Sequence, residues 1–269
     1  MGILNVTPDS FSDGGQFADH AAAIAQAKQM LIDGADIIDI GGESTRPGAG
    51  RVDADEELRR VLPVIRALAT ETDAIISIDT SKATVARAAL EAGAQIVNDV
   101  SAMSADPAMA ATVAEFGAGV VLMHMQGTPR EMQDNPQYDN VVSEICNYLQ
   151  DRVSLAVAAG IAAEQIAIDP GIGFGKSTEH NLQILANLQQ LTKIGQPLLV
   201  GLSRKRFIGI LTESTVENRL SGSLAGLTCA VLNGAGIMRV HDVGPSWQAG
   251  RIAAAIRSET NEYALREKA

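Results

Sequence analysis

Aromatic residues, cysteines and long apolar runs are scarce in this sequence, and each shortage excludes a class of protein. Only 3% of the 269 residues are aromatic, which is too few for a platform on which nucleic-acid bases could stack. No segment approaches the roughly 18 consecutive apolar residues that a membrane span requires. The two cysteines, Cys146 and Cys229, lie in separate helical patterns and form no disulfide framework, as is typical of a reducing cytoplasm.

Basic residues are also in the minority, with 21 Lys and Arg against 32 Asp and Glu. The formal net charge of −11 argues against nucleic acid or an anionic membrane as a partner. Small anions stay possible as ligands, because screening beyond about 8 Å leaves local charges in control. No basic, apolar leader opens the chain, so we expect a cytoplasmic protein that is not exported.

The sequence does contain one repeated unit, a short apolar run that ends on a polar residue and is followed by a helical pattern. Ile75–Asp79 is the clearest case, since it is too short for a free-standing helix and predicts a strand buried on both faces. The predicted strands cover 1–4, 37–40, 75–79, 96–97, 120–123, 166–168, 198–202 and 237–240. The predicted helices cover about 18–33, 53–70, 82–92, a segment after 106–107, 141–159, 178–191, 206–211, 221–233 and a last one from about 245.

Eight consecutive strand-helix units predict an α/β protein of the (β/α)8 barrel type, with a single domain over residues 1–269. Glycine can end a helix with a positive φ, and a Gly-Ala pair separates helix from strand at Gly34, Gly93, Gly117 and Gly234. A doubly wound open sheet is the main alternative. It usually has a glycine-rich turn after its first strand, and here that position reads Asn-Val-Thr-Pro.

Functional residues of such barrels lie at the carboxyl ends of the strands. The polar residues predicted there are Asn5, Glu43, Asp79, Asn98, His124, Asp169, Lys205, Arg239 and His241. Two carboxylates and an amide, Asp79, Asp169 and Asn98, suit a flat ring that carries several N–H donors and a carbonyl. Each of them could instead cap the helix that follows it, as Asp and Asn often do. His124 could be only a packed residue at the end of its strand.

Several cations are predicted at or near the same rim despite the acidic total, namely Arg46, Arg204, Lys205, Arg206, Arg239 and His241. They could bind a phosphate or diphosphate, while surface ion pairing is the alternative for Arg204 and Arg206. Residues 171–177 resemble a phosphate-binding loop, but proline occupies the first glycine position of that motif. We therefore interpret the segment as a glycine turn that brings Phe174 close to a flat ligand.

Two further features bear on the chemistry. The loops 6–15 and 41–51 are long for strand-to-helix connections and could be lids or simply irregular surface. No His-x-His follows the first strand, which disfavours a metallohydrolase. A weakly held Mg²⁺ on phosphate oxygens remains open, because such an ion needs few protein ligands.

Taken together, these motifs resemble the dihydropteroate synthase family. Its first two signatures are matched by GILNVTPDSFSDGG at 2–15 and DIGGESTRPG at 39–48. Further blocks match in the right order at 78–80, 98–100, 123–127, 169–176, 201–205 and 239–242. The resemblance covers nearly the whole chain. Two departures are that the family normally has residues before its first strand and that Arg206 stands where a serine is common.

The resemblance implies an enzyme that joins 6-hydroxymethyl-7,8-dihydropterin diphosphate to 4-aminobenzoate and releases diphosphate, in folate synthesis. By resemblance, the pterin would be held by Asp79, Asn98, Asp169 and Lys205, with Val100, Met123 and Phe174 along its faces. The diphosphate would be held by Asn5 through Mg²⁺, with Thr45, Arg46, Arg239 and His241. The 4-aminobenzoate site would be formed by Phe11, Pro47, Ser203 and Lys205.

Asp79, Lys205, Arg239 and His241 are the residues expected to act in the reaction itself. Sulfonamides are expected to compete with 4-aminobenzoate, since segment 44–48 keeps the ordinary form of the family. The family is commonly dimeric, so a homodimer is expected. The alternatives are a pterin-binding methyltransferase barrel, which has no use for a diphosphate site, and a catalytically silent pterin-binding module.

Overall fold

The computed structural model describes residues 1–7, 16–43, 50, 52–128 and 131–266, with side chains left undescribed at 16–19 and 260–266. The strands are β1 Gly2–Asn5, β2 Ile37–Gly41, β3 Ile75–Asp79, β4 Ile96–Asp99, β5 Gly119–Met123, β6 Ile166–Asp169, β7 Leu199–Val200 and β8 Ile237–Met238. The α-helices are α1 Gln16–Ile32, α2 Ala54–Glu71, α3 Ala83–Glu91, α4 Met109–Phe116, α5 Val141–Ala158, α6 Thr178–Ala186, α7 Leu188–Leu191, α8 Arg206–Thr212, α9 Leu220–Leu232 and α10 Val243–Arg266.

The strands form a closed parallel ring in chain order. β1 to β6 make one parallel sheet, and β7 pairs with β8 in parallel. Two single bridges close the ring, from Ile168 to Leu198 between β6 and β7 and from Gly2 to Val240 between β1 and the end of β8. The second closure includes a hydrogen bond from Ile3 N to Val240 O at 2.9 Å. The predicted (β/α)8 barrel is therefore confirmed, while the single domain over 1–269 stays a prediction.

Each strand has two faces with different roles, because successive side chains point to opposite sides. Ile38, Ile40, Ile76 and Ile78 are fully buried in the larger core cluster, which also contains side chains of the surrounding helices. A small separate cluster inside the ring consists of Val121, Ala167 and Leu199, with Met1, Ile96 and Ile237 packed against it. The helix-facing side of the strands thus carries most of the core. The side chains that point into the ring are therefore free to be polar at the carboxyl ends of the strands.

Helices end and strands begin where the Gly-Ala pairs predict. The glycines at 34, 93, 117 and 234 all have positive φ, between 58° and 114°. At Gly93 a Cβ would lie 2.6 Å from the Cβ of Ala69. Both this clash and the positive φ therefore favour glycine at this turn. The pairs therefore set the point at which each of these helices turns back into the barrel.

Three predicted elements, one helix and two strands, differ from the structure. The helix predicted over 178–191 is broken at Asn187 into α6 and α7. β7 and β8 are shorter than the predicted 198–202 and 237–240, although Arg239 N still donates to Val200 O at 3.0 Å. The residues just beyond both strands instead turn their side chains towards one another, as the site below shows. Among the described helices, none is long and apolar enough to cross a membrane.

The division between the two faces of β3 predicts a contrast between neighbouring residues. Replacing Ile76, which is fully buried, by alanine should lower the free energy of unfolding by about 2–5 kcal/mol through lost burial and a cavity. The matched control is Ile75→Ala, because Ile75 is 42% exposed on the same strand, and we expect a clearly smaller loss. Urea unfolding followed by circular dichroism measures both. Equal losses for the two variants would contradict this assignment of faces.

Candidate active site

Polar side chains of β2, β3 and β4 lie next to one another because the parallel register aligns the carboxyl ends of these strands. Asp79 is level with Asn98 across the β3–β4 pair. Asn98 Nδ2 donates a hydrogen bond of 3.0 Å to Asp39 Oδ2. Asp39, Asp79 and Asn98 are each at most 9% exposed. The structure thus brings together two residues that the sequence predicts in one site, Asp79 and Asn98, and adds a third.

Arg239, beyond the end of β8, joins the two carboxylates. Its Nε donates to Asp39 Oδ2 and its Nη2 donates to Asp79 Oδ2, both at 2.6 Å. Burial works against the charge of the guanidinium, but the two carboxylates together hold the pKa of Arg239 above its ordinary value. The sequence places Arg239 at this rim correctly. Its predicted contact with a diphosphate stays a prediction, since here the side chain binds carboxylates.

Asp39 is a functional candidate that the sequence analysis does not single out. It lies in the middle of an isoleucine-rich strand, is fully buried, and has one oxygen, Oδ1, with no hydrogen-bond partner among the described residues. A carboxylate inside a buried strand is costly unless it is paired. The presence of a carboxylate within an apolar strand could have identified Asp39 from the sequence, because its burial requires a cation from elsewhere in the chain.

Asp79 does not cap the helix that follows it. α3 begins at Ala83, and the residue before it, Lys82, makes no side-chain cap bond. The capping alternative is therefore wrong for Asp79, whose carboxylate binds Arg239 instead. Burial raises the pKa of Asp79 to about 7, with nearby carboxylates adding to the rise and Arg239 opposing it. Its charge is therefore poised to change near neutral pH.

Asp169 ends β6 and leads into the segment predicted as a glycine turn at 171–177, whose glycines at 171, 173 and 175 all have positive φ. Gly171 N donates to Asp169 Oδ1 at 2.7 Å. Burial raises the pKa of Asp169, while the charge of Lys205 opposes the rise. Gly171 has a φ of +67°, and a Cβ there would lie 1.9 Å from His124 O, so only glycine allows the turn to pack on the end of β5.

The turn presents Phe174 beside Lys205. Lys205 Nζ lies 4.5 Å from the centroid of the Phe174 ring and donates to Ile172 O. Burial lowers the pKa of Lys205 to about 8, with Asp169 opposing the decrease. The segment therefore forms the glycine turn predicted from the sequence, while the closeness of Phe174 to a flat ligand stays a prediction.

The ends of β7 and β8 are linked by two further contacts. Ser203 Oγ lies 3.1 Å from His241 Nδ1 and accepts a bond from His241 N at 3.3 Å. Arg204 forms a two-pronged ion pair with Asp242, at 2.8 and 2.5 Å, so surface ion pairing describes Arg204. Arg206 is exposed at the first residue of α8. Ser203, Lys205, Arg239 and His241 are thus neighbours on two adjacent strand ends.

The remaining predicted residues divide into two groups. Asn5 is half-buried at the end of β1, Met123 is buried at the end of β5, and Val100 is half-buried just after β4. Phe11, Thr45, Arg46 and Pro47 lie outside the described residues, as do most of the two long loops. The described part of the second loop begins with Glu43, which pairs with Lys82 and accepts a bond from Val52 N at 3.1 Å.

His124 is packed at the end of its strand, as one interpretation of the sequence proposed. It also has a polar partner, which that interpretation did not include. It is 7% exposed, and its Nδ1 lies 2.9 Å from the Nζ of the buried Lys176. Burial and then the charge of Lys176 lower the pKa of His124 to about 3, so the ring is neutral at physiological pH.

The rim therefore combines hydrogen-bond acceptors on one arc with cations on the neighbouring arc. Asp39, Asp79, Asn98 and Asp169 come from β2, β3, β4 and β6, whereas Lys205, Arg239 and His241 follow β7 and β8. Such a site can accept hydrogen bonds from a flat ring and place an attached anion beside the cations. Within the described ranges, no group of three or more His, Cys, Asp or Glu side chains could hold a metal ion.

Comparison with known proteins places this site in a family. Residues 1–241 match the model of the pterin-binding enzymes. The dihydropteroate synthase of Haemophilus influenzae is 49% identical over 255 residues, covering 93% of this chain and 92% of that protein. The enzyme of Escherichia coli K12 is 48% identical over 258 residues, covering 96% and 91%.

Solved structures agree with these relatives. Yersinia pestis dihydropteroate synthase with a sulfonamide drug complex superposes with a TM-score of 0.90 at 47% identity, covering 96% of this chain and 93% of that one. Xanthomonas albilineans dihydropteroate synthase with 4-aminobenzoic acid gives a TM-score of 0.90 at 48% identity, covering 96% and 92%. The barrel, the site at its rim and nearly full-length similarity all lead to one conclusion: this chain belongs to the dihydropteroate synthase family of pterin-binding enzymes.

Proposed function

We propose that this protein is a transferase that joins 6-hydroxymethyl-7,8-dihydropterin diphosphate to 4-aminobenzoate, forming dihydropteroate and diphosphate in folate synthesis. The family relationship supports the reaction. The single structural observation that carries it is the buried group Asp39, Asp79 and Asn98 joined to Arg239. This group offers acceptors for a pterin and, next to them, a cation for its diphosphate.

The pterin subsite would be formed by Asp79, Asn98, Asp169 and Lys205. The ring carries a guanidine-like edge, and a carboxylate such as Asp79 can accept two parallel hydrogen bonds from it. Lys205 is a donor for the ring carbonyl. Val100, Met123 and Phe174 would line the faces of the ring.

Arg239 would change partners when the pterin binds. One oxygen of Asp79 accepts from Arg239 Nη2, and the guanidine-like edge of the ring competes for the same carboxylate. Asp39 would keep its bond to Arg239 Nε, so that the arginine is retained at the rim. The released Nη2 could then face the diphosphate together with His241. A single change of partner at Asp79 and Arg239 would in this way allow both the pterin ring and the diphosphate to bind.

The reaction fits a dissociative substitution. Diphosphate leaves a carbon attached to an electron-rich ring, so positive charge spreads over the pterin, where Asp79 and Asp169 would stabilise it. Arg239 and His241 would stabilise the departing anion. The aniline nitrogen of 4-aminobenzoate is a weak nucleophile, and what it needs is positioning rather than a strong base.

Asn5 would supply one ligand to a magnesium ion, and the phosphate oxygens of the substrate would supply most of the others. Asn5 offers one amide oxygen at the rim, and the described residues hold no cluster of acidic or histidine ligands. This donor set fits Mg²⁺, which keeps several waters and is commonly bound by one or two protein oxygens plus phosphate oxygens. When bound, the ion would neutralise charge on the diphosphate.

The 4-aminobenzoate would bind beside Ser203 and Lys205, with Phe11 and Pro47 completing the subsite. Sulfonamides would compete for this position, and the Yersinia pestis relative has been solved with a sulfonamide drug complex. Thr45 and Arg46 would contribute to binding of the diphosphate. A cytoplasmic location also remains a prediction.

We further infer a homodimer. Ile210 and Leu211 on α8 and Val216 just after it are 52%, 55% and 45% exposed. Exposed aliphatic side chains grouped on neighbouring turns favour burial against a second subunit. Sedimentation equilibrium of the purified protein tests this.

The proposed reaction predicts diphosphate release only when both substrates are present. With Mg²⁺ we expect dihydropteroate and diphosphate in equal amounts, and with EDTA a large loss of rate because the diphosphate loses its counter-ion. Product chromatography with a coupled diphosphate assay measures both. Sulfonamide should raise the apparent KM for 4-aminobenzoate in the same assay. Pterin binding without any diphosphate release would indicate a silent binding module instead.

Asp79→Asn should lower kcat about 10²- to 10³-fold, because it removes a negative charge from the position where the ring becomes positive. Steady-state kinetics at saturating substrates measures the effect. The matched control is Asp73→Asn, which makes the same change at an exposed residue just before β3 and should leave kcat unaltered. Full turnover by Asp79→Asn would exclude a cation-stabilising role for this carboxylate.

The pH dependence follows from two opposite requirements. Asp79 must be ionised, and its pKa of about 7 predicts that activity falls as the pH drops below that value. Lys205 must be protonated, and its pKa of about 8 predicts that activity falls as the pH rises above that value. The kcat/KM for the pterin substrate should therefore peak between the two.

Measuring kcat/KM from about pH 6 to about pH 9 tests this profile. In Lys205→Arg the basic limb should move to higher pH, because a guanidinium keeps its charge. A basic limb unchanged in that variant would show that another group causes it.

A further inference from the structure

Lys176 is a buried basic side chain for which the proposed reaction has no use. It is 2% exposed, directly after the glycine turn at 171–175 and before the N-cap residue of α6, Ser177. A lysine at such a depth is costly unless its amino group is fully hydrogen-bonded. The structure provides these partners, and all of them lie at the rim of the barrel.

The amino group of Lys176 connects the ends of two strands. Its Nζ donates to Phe174 O at 2.9 Å and to His124 O at 3.2 Å, and it lies 2.9 Å from His124 Nδ1. His124 follows β5, while Phe174 lies in the turn after β6. Burial lowers the pKa of Lys176 well below its usual value, and these three contacts give its amino group hydrogen-bond partners at this depth.

The turn that Lys176 holds also determines where Lys205 lies. Lys205 Nζ donates to Ile172 O and lies over the Phe174 ring, both within the turn. At Gly173 a Cβ would approach Lys205 Cδ to 3.1 Å, which shows how closely the two segments pack. A shift of Phe174 would therefore move the amino group of Lys205 as well.

We propose that Lys176 is a positioning residue for the pterin subsite, acting through Phe174 and, through it, on Lys205. The inference rests on the proposed function, because it assumes that Phe174 and Lys205 contact the pterin. Lys176 itself would not contact the substrate. Its effect should appear chiefly in pterin affinity, and it should depend on the presence of the Phe174 side chain.

Lys176→Met keeps the apolar stem and removes the donors. We expect the Kd and KM for the pterin diphosphate to rise about 10- to 100-fold, since misplacement by about 1 Å can cost about 10²-fold. Isothermal titration calorimetry and steady-state kinetics measure the two constants. Lys193→Met is the matched control, with the same change at an exposed residue, and should bind as the wild type does. Lys176→Gln, which retains N–H donors, should recover part of the affinity.

A double-mutant cycle separates positioning from a general loss of stability. If Lys176 acts through Phe174, then Lys176→Met should weaken pterin binding much less in a Phe174→Ala background than in the wild type. Additive effects of the two changes, or unchanged affinity in folded Lys176→Met, would overturn the proposal. If Lys176→Met fails to fold, Lys176→Gln is used in the same cycle.

The two proposals fail differently. Absence of product from the wild type would overturn the proposed reaction. Equal pterin affinity in the wild type and in folded Lys176 variants would overturn the positioning role alone.

Discussion

The carboxylates Asp39 and Asp79 share one guanidinium, that of Arg239, and the site depends on this arrangement. Two negative charges inside a barrel are strongly unfavourable unless a cation accompanies them. The cation follows the last strand, 200 and 160 residues away along the chain. The same contacts thus offset one of the two negative charges and join the end of β8 to β2 and β3. When Asp79 is ionised, one negative charge is in excess, and the group can then accept a further cationic or donor-rich partner.

The barrel separates stability from chemistry through the alternation of side chains along each strand. In β3, Ile76 and Ile78 are buried against the helices, whereas Ser77 and Asp79 are on the opposite face. A change on one face can therefore alter the core with little effect on the polar rim. This division explains how strands rich in isoleucine can end in a site rich in buried charge.

The loops after β5, β6 and β7 act as one unit at the rim. Glycines at 171 and 175 let the turn after β6 pack directly on the backbone that follows β5. Lys176 bonds both of these segments, and Lys205 after β7 bonds the turn from the other side. The rim is preorganised because backbone carbonyls, which have fixed positions, receive most of these hydrogen bonds. Preorganised groups of this kind stabilise a charged transition state without reorganising during the reaction.

The sequence alone determined the barrel, since each apolar run and each Gly-Ala pair is a local signal, and it determined the family through long motifs. It also placed Asp79, Asn98, Asp169, Lys205, Arg239 and His241 at one rim, because all parallel strands end on the same side. Only the tertiary structure decided which of these groups are partners. The importance of Asp39, the ion pair of Arg204 and the contacts of Lys176 depend on distances between residues far apart in the chain. Local patterns do not encode such distances, because they arise when the ring of strands closes.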